Sequence, residues 1–576
     1  MVPVFHHGDR HRAKKICSGG VGHFLMKQEV SMTANLNLII SILIACVPIL
    51  ILGVGLLGSV LSPGQTRMIA GLSSAASGLV FVCSALAAIL YGVGGTPQTI
   101  TPYSYPLPGN AGELALSIYI NPVTLMMLSL VSFVGFVVSR FSKNYLGGEE
   151  NQVRFYTWLN LTLASILTMI VSGNMLMFAF GWISTSLCLH HLLVFYPERP
   201  GAVLAARKKW IISRVAETSL LIAVLLIGST LHSMQFETVF HLMAAKSAGL
   251  PFSLQLASWL IVLTAALKTA QFPLQGWLIQ VMEAPTPVSA LLHAGIVNAG
   301  AFLVVRMSPI MSQSISASSA LAMIGLLTIA AAGLVMLTQT SLKVYLAWTT
   351  TAQMGFMLLE CGLGLYSLAM LHLVGHSLYK AHAFLSSGSG VDVFRAPAVR
   401  PAQSTPTIGQ WIVVSAFAVL VTIGIGTVFG LTPEHQPALL ALGVILGVAM
   451  TQLLLGSFKA GMGAAFIARA AVLSALVCTA YFSLHAVFHF MLATSLPAVR
   501  LISGPDQFVL VGLVMMVFVS ILLIQQSLPK WMGNPFSRKV HVYLYNGLYV
   551  DIPFSRLVRR IWRTPAHNPY TQAKGV

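Results

Sequence analysis

The 576-residue chain is 56% hydrophobic and only 8% charged, with a mean hydropathy of +0.83, which leaves too little polar surface to cover a soluble globule. Its net charge of +18 would suggest nucleic acid in a soluble protein. Here loop topology accounts for it, because lysine and arginine collect on the cytoplasmic side of membrane proteins, and no nucleic-acid partner is expected.

Residues 1–31 form a basic N-terminal extension with Arg10, Arg12, Lys14, Lys15 and Lys27. From Leu36 to the region of Gln525 the chain supplies about 15 apolar runs long enough to span a bilayer, joined by short polar connectors. One all-α polytopic membrane domain over 32–527 is therefore expected, followed by a basic, aromatic tail over 528–576. Loops after odd-numbered spans hold Arg67; Arg140, Lys143 and Arg154; Arg199, Arg207, Lys208 and Lys209; Lys343; Arg395 and Arg400; and Lys459 and Arg469. The intervening loops hold only Lys246, Arg306 and Arg500. This asymmetry predicts a cytoplasmic tail, an odd number of spans and an outer start to the first. The basic extension conflicts with that orientation, and a start of translation at Met32 removes the conflict; an intact mass beginning at Met1 or Val2 would exclude it. A cleaved signal fits less well, since 36–61 is too long and uniformly apolar for a signal core.

Cys17, Cys46, Cys83, Cys188, Cys361 and Cys478 are scattered, at no metal or disulfide spacing. The GVGG at 92–95 lacks the spacing of a nucleotide loop. No cofactor is expected, and no catalytic constellation of a free-standing enzyme is recognisable.

The informative positions are ionisable residues inside apolar runs, which usually face a polar interior rather than lipid. Lys268 lies five residues before Pro273, where a missing helix donor predicts a break, and a broken helix at membrane depth borders a cavity. The bland alternative is a lysine that snorkels to the interface. Glu217 and Arg214 share a helix face, so Glu217 pairs either with Arg214 or with Lys268. His293 is either a relay group or a buried histidine satisfied by a carbonyl. His372, His376 and Lys380 recur every four residues on one face, with His382 close by, which reads as a titratable stripe rather than packing. Zinc at the paired histidines lacks a third ligand in the neighbourhood, Glu360 lies at the end of the previous span, and Lys380 would repel a dication, so no metal is expected. His190 with His191, and His485 with His489, have no acidic residue near in sequence and read as buried or interfacial.

Residues 273–306, PLQGWLIQVMEAPTPVSALLHAGIVNAGAFLVVR, closely resemble the signature of the antiporter-like subunits of respiratory complex I and of multisubunit sodium/proton antiporters. TQTSLKVYLAWTTTAQMGFMLL (338–359) and HLVGHSLYKAHAFLSSGSG (372–390) agree, and the resemblance covers about 120–390. Within that family, GWLIQVMEAPTPVSALLHAG, ARKKWIISRVAET and VYLYNGLYVD look most like the membrane subunits of DAB-type inorganic-carbon accumulation systems.

The resemblance implies a bundle with inverted five-span repeats in a bacterial inner (cytoplasmic) membrane. It implies conduction of protons or sodium that energises a large zinc-binding, DabA-like partner resembling a carbonic anhydrase. It casts Lys268 as the central lysine of the first half and Glu217 as its acidic modulator. His293, His372, His376 and Lys380 then form the onward path, and Lys343 matches a lysine at the start of the tenth span. Three departures stand out: Ser341 where complex I relatives carry an acid, Ile183 where the fifth span usually has glutamate after GW, and no charge over 409–431. The family's second broken span with a terminal lysine is expected after Gly390, and Lys459 either substitutes for that lysine or is a loop residue. The alternative reading is a subunit of a multisubunit antiporter or of a complex I-like oxidoreductase.

Overall fold

The computed structural model describes residues 20–62, 64–108, 112–245, 249–389, 407–430, 437–459, 463–497, 505–531 and 534–562. The basic residues up to 19, Cys17, Lys246, Arg395, Arg400, Arg500 and Arg563 lie outside them, as do the side chains of Lys27, Lys459 and Lys530.

The described chain is a helical membrane bundle. In order it contains α1 (Gly20–Val60), α2 (Thr66–Gly94), a hairpin of β1 (Gln98–Pro106) and β2 (Glu113–Ile120), α3 (Pro122–Tyr145), α4 (Gln152–Val171), α5 (Met175–Leu193), α6 (Pro200–Leu231), α7 (Phe236–Ala244), α8 (Phe252–Lys268) and α9 (Gly276–Gln280). There follow α10 (Thr286–Arg306), α11 (Ile315–Met336), α12 (Leu342–Gly362), α13 (Tyr366–Leu385), α14 (Ile408–Val428), α15 (Pro437–Lys459), α16 (Ala464–Leu492), α17 (Pro505–Trp531), α18 (Pro535–Tyr545) and α19 (Asp551–Ile561). Eleven described helices have the length and hydropathy to cross a membrane, and α8 and α15 add shorter apolar ones. With α12 and α13, which are more polar but packed in the same bundle, the number agrees with the expected count of about 15.

Membrane solvent inverts the usual pattern of burial. On α2 the inward face mixes Ser73, Ser77 and Ser84 with Ile69, Ala70, Val80 and Ala87, while the large apolar Leu79, Val82 and Ile89 point outward. Ser73 Oγ bonds Ser139 Oγ on α3 at 2.9 Å and donates to Asn160 Oδ1 on α4 at 3.0 Å, so polar side chains join these helices where lipid offers no partner. Helix starts are set locally: Asn121 caps α3 by accepting from the Thr124 amide at 2.8 Å, ahead of Pro122, and Asn174 caps α5 from the Leu176 amide at 2.9 Å.

The hairpin was not expected from sequence. β1 and β2 pair antiparallel from Gln98↔Ile120 to Pro106↔Glu113, with an irregularity between Ile100 and Tyr103. It lies beyond the C-terminal end of α6, where Gly112, at φ +95°, abuts Ser233 and Met234.

α10 is the hub of the bundle, 94% buried in its membrane window. The largest apolar core gathers residues from α1 through α13 with Leu492 of α16, whereas α14, α15, α16 and α17 otherwise pack in smaller clusters, one of them shared with α11 and α12.

Candidate conduction site

Lys268 is the last residue of α8. Helical geometry ends there: Ala270 takes φ +51°, and the helix resumes only at Gly276. The break falls where Pro273 predicts it, and neighbouring side chains satisfy the freed backbone. Thr328 Oγ1 on α11 accepts from the Phe272 amide at 3.2 Å, and Gln271 Nε2 donates to the Thr269 carbonyl at 3.3 Å.

The Lys268 side chain turns inward rather than to an interface, 7% exposed, with Nζ 4.7 Å from the ring centroid of Trp182 on α5. A cation over an indole face gains electrostatically without a counter-charge. Beside it lies a cavity of about 10 Å³ walled by Lys209, Ser213, Ala216, Lys268 and Trp277, the size at which one water centre fits.

Glu217 pairs with Arg214: Oε2 stands 2.7 Å from Nη2, and the carboxylate is almost fully buried while Arg214 is one-third exposed. This resolves the choice that sequence left open. No hydrogen bond joins Glu217 to Lys268 among the described residues.

Two basic groups assigned to loops from the sequence are corrected here, because α6 begins at Pro200 and takes both inside. Lys209 is buried and donates to Ser186 O at 2.6 Å and to Ser186 Oγ at 3.0 Å. Lys208 is buried as well and ion-pairs with Asp551 at 2.5 Å. The signal for Lys209 was its spacing: Lys209, Ser213 and Glu217 recur every four residues, on one helix face. Arg306 is likewise no loop residue. At the end of α10 it is 2% exposed, with Nη2 donating to Ile170 O at 2.6 Å and Thr124 Oγ1 at 2.9 Å, among the rings of Tyr119, Phe236 and Phe302.

The second group of titratable residues gathers between α10, α12 and α13. α10 carries a π-helical turn over Leu292–Ile296, an insertion that often marks functional sites, and His293 lies in it. The His293 ring stacks on Phe384 at 4.4 Å between centroids, and Nδ1 contacts Thr350 Oγ1 at 3.1 Å. Along α13, His372 meets Glu360 Oε2 at 3.0 Å, His376 is 6% exposed, and Lys380 donates to Leu346 O at 2.9 Å and Thr349 Oγ1 at 2.5 Å.

Successive members of this stripe are separated by about 6 Å along the helix axis. Among the described residues neither ring nitrogen of His376 has a hydrogen-bond partner, nor does His293 Nε2, and buried polar atoms of this kind are commonly completed by water. Glu360, at the end of the previous span and set apart from the histidines on the sequence, comes into contact with the stripe: it and Gln353, which sequence did not single out, hold both nitrogens of His372. Lys343, at the start of α12, reaches Thr286 Oγ1 at 3.5 Å.

A broken membrane helix ending in a buried lysine, beside a hub helix and a stripe of histidines, defines a polytopic membrane subunit of the antiporter-like class. Two family descriptions match in agreement: "NADH:quinone oxidoreductase/Mrp antiporter, TM" over residues 172–396, and "NADH-Ubiquinone oxidoreductase (complex I), chain 5 N-terminus" over 109–156. The fold resembles a chain of the Mrp complex from Dietzia sp., with TM-score 0.58 and 19% identity over 92% of this chain and 61% of that one. It also resembles a chain of the archaeal membrane-bound sulfane sulfur reductase, with TM-score 0.54 and 18% identity over 88% and 99% of the two chains.

Among curated relatives, the probable inorganic carbon transporter subunit DabB2 of Halothiobacillus neapolitanus is 43% identical over 79% of this chain and 82% of its own. The probable inorganic carbon transporter subunit DabB of Hydrogenovibrio crunogenus is 44% identical over 57% and 64% of the two chains. NADH-quinone oxidoreductase subunit L of Escherichia coli is 34% identical over 48% and 45%. The chain belongs to the DabB family of inorganic carbon transporter subunits, within the larger group of complex I and Mrp antiporter membrane proteins.

Proposed function

We propose that this chain conducts a cation, the proton first of all, through the bilayer and thereby energises accumulation of inorganic carbon by a large zinc-containing, carbonic-anhydrase-like partner of the DabA kind. The reading places the complex in a bacterial inner membrane, with the C-terminal tail in the cytoplasm. The observation that carries it is Lys268, buried at the end of the broken α8 in a chain whose relatives are named inorganic carbon transporter subunits. A lysine amine is a group that can take up and release a proton, and the Lys268 side chain borders a cavity that Lys209 also lines. Lys209 and Glu217 supply neighbouring charge, and His293, His376, His372 and Lys380 supply the onward groups.

Direction follows from what is missing in the family pattern. Ile183 stands where a glutamate would follow Trp182, and α14 carries no charged side chain. A loss in each half of the family pattern favours passive, one-way conduction over a symmetric exchange cycle. The test is purification of the chain from membranes with its bound subunits, followed by reconstitution. One large zinc-binding partner, with proton flux that needs no sodium, supports the reading. Several membrane homologues, or obligatory sodium/proton exchange, support instead a subunit of a multisubunit antiporter or of a complex I-like oxidoreductase, the reading that the likeness to subunit L keeps open.

A further inference from the structure

The chain beyond α17 returns to the bundle as a strap. The carbonyl oxygen of Tyr545, the last residue of α18, accepts from Gln339 Nε2 at 3.1 Å, and Leu544 and Leu548 pack with Ile279, Val344 and Trp348. α19 then lies on α6: Val558 is fully buried, and the Trp562 ring meets Trp210 edge-on at 5.8 Å between centroids. At 11 residues α19 is too short to be a stable helix by itself, so its shape depends on this docking.

Its first residue, Asp551, makes the most specific contact. Oδ2 accepts from Lys208 Nζ at 2.5 Å, from Gln280 Nε2 at 2.9 Å and from Ser555 Oγ at 2.9 Å. Oδ1 lies so close to Gly276 that a Cβ there would collide with the carboxylate. The Lys208 side chain is wholly buried, whereas that of Asp551 is 27% exposed. One carboxylate at the surface thus grips α6 and the short helix α9 that follows the break.

Two of the residues that Asp551 touches have a sequence neighbour in the cavity wall. Lys208 precedes Lys209, and Gly276 precedes Trp277; Lys209 and Trp277 both line the small cavity that Lys268 closes. We propose that Asp551 is a positioning residue, whose clamp on Lys208 and on the Gly276–Gln280 helix keeps the Lys209–Lys268 cavity shut and couples the C-terminal strap to it. Without the carboxylate, Lys208 is a buried charge with no counter-ion and moves toward water, taking the start of α6 with it. The consequence for transport rests on the conduction proposed above, but the clamp itself is read by accessibility alone.

The experiment uses the full chain in membranes with its native partners, carrying Ser213→Cys as a reporter in the cavity wall. Modification by a small maleimide is timed by peptide mass mapping, with the buried Cys478 on the distant α16 as internal control. The expected result is slow labelling of the reporter in the parent, at least tenfold faster labelling in Asp551→Asn, and return to the parent rate in Asp551→Glu. Lys208→Met removes the clamp without leaving a buried charge and is expected to raise the rate equally. Unchanged reporter rates in both Asp551→Asn and Lys208→Met overturn the proposal, as does a matching rise at Cys478 in both, which would mean general loosening. Proton flux recorded on the same samples separates the two readings: flux insensitive to Lys268→Ala with the reporter still responding refutes conduction and leaves the clamp standing.

Discussion

Glu217 holds Arg214 at 2.7 Å on the same face of α6, next in sequence to Ala216, which lines the cavity that Lys209 and Lys268 share. Arginine thereby occupies the carboxylate that would otherwise stabilise a protonated lysine. Arg214→Ala should free Glu217 to attract Lys268 or Lys209 and hold a proton there, slowing flux severalfold in proteoliposomes of the complex. Adding Glu217→Gln should recover part of the loss. Identical flux in both variants would mean that this pair is only a structural bridge.

Lys209 is buried deep in α6 and held by Ser186, so it should matter to transport in a way that a loop lysine does not. Lys209→Gln is expected to cut proton flux at least tenfold, while Lys143→Gln, near the end of α3, leaves it unchanged. Initial rates of pH change inside vesicles decide between them.

The histidine stripe makes a comparative prediction. His376→Ala and Lys380→Ala should each impair flux more than His485→Ala, because His376 and Lys380 sit among α10, α12 and α13, whereas His485 lines a separate cavity with Tyr366 and His489. Equal losses at all three would remove any special role from the stripe.

A stability prediction concerns α11 and α12, which cross in contact at two glycines. A Cβ on Gly325 would collide with the carbonyl of Gly355 and the amide of Leu359, and both are backbone groups that cannot swing aside. Gly325→Val should therefore destabilise the protein by about 1–3 kcal/mol through overpacking. A clearly lowered unfolding temperature in detergent is expected, and an unchanged one would contradict the crossing.

The spans were legible because each apolar run registers independently of its neighbours, and the break after Lys268 was legible because proline acts locally. Groups held by distant chain were not. Asp551 is 343 positions from the Lys208 it pairs with, and nothing in the spacing of either announces the other. Lys209 was hidden in ARKK, where a basic cluster at a helix start imitates a cytoplasmic loop; only its four-residue spacing to Ser213 and Glu217 told otherwise. Arg306 closes an apolar run and so read as a loop boundary, although its guanidinium is buried among aromatic rings. The hairpin escaped because TPYSYPLPG carries prolines that argue against strands, and its edge at the surface tolerates them.

The most direct measurement is proton uptake by proteoliposomes containing the complex with Lys268→Ala, alongside bicarbonate accumulation in cells carrying the same variant. Truncation removes a buried charge, so membrane insertion and subunit assembly should persist. The expected result is loss of both flux and accumulation in a protein present at the parent level. Full proton uptake and full accumulation by an assembled Lys268→Ala complex would contradict conduction through this lysine.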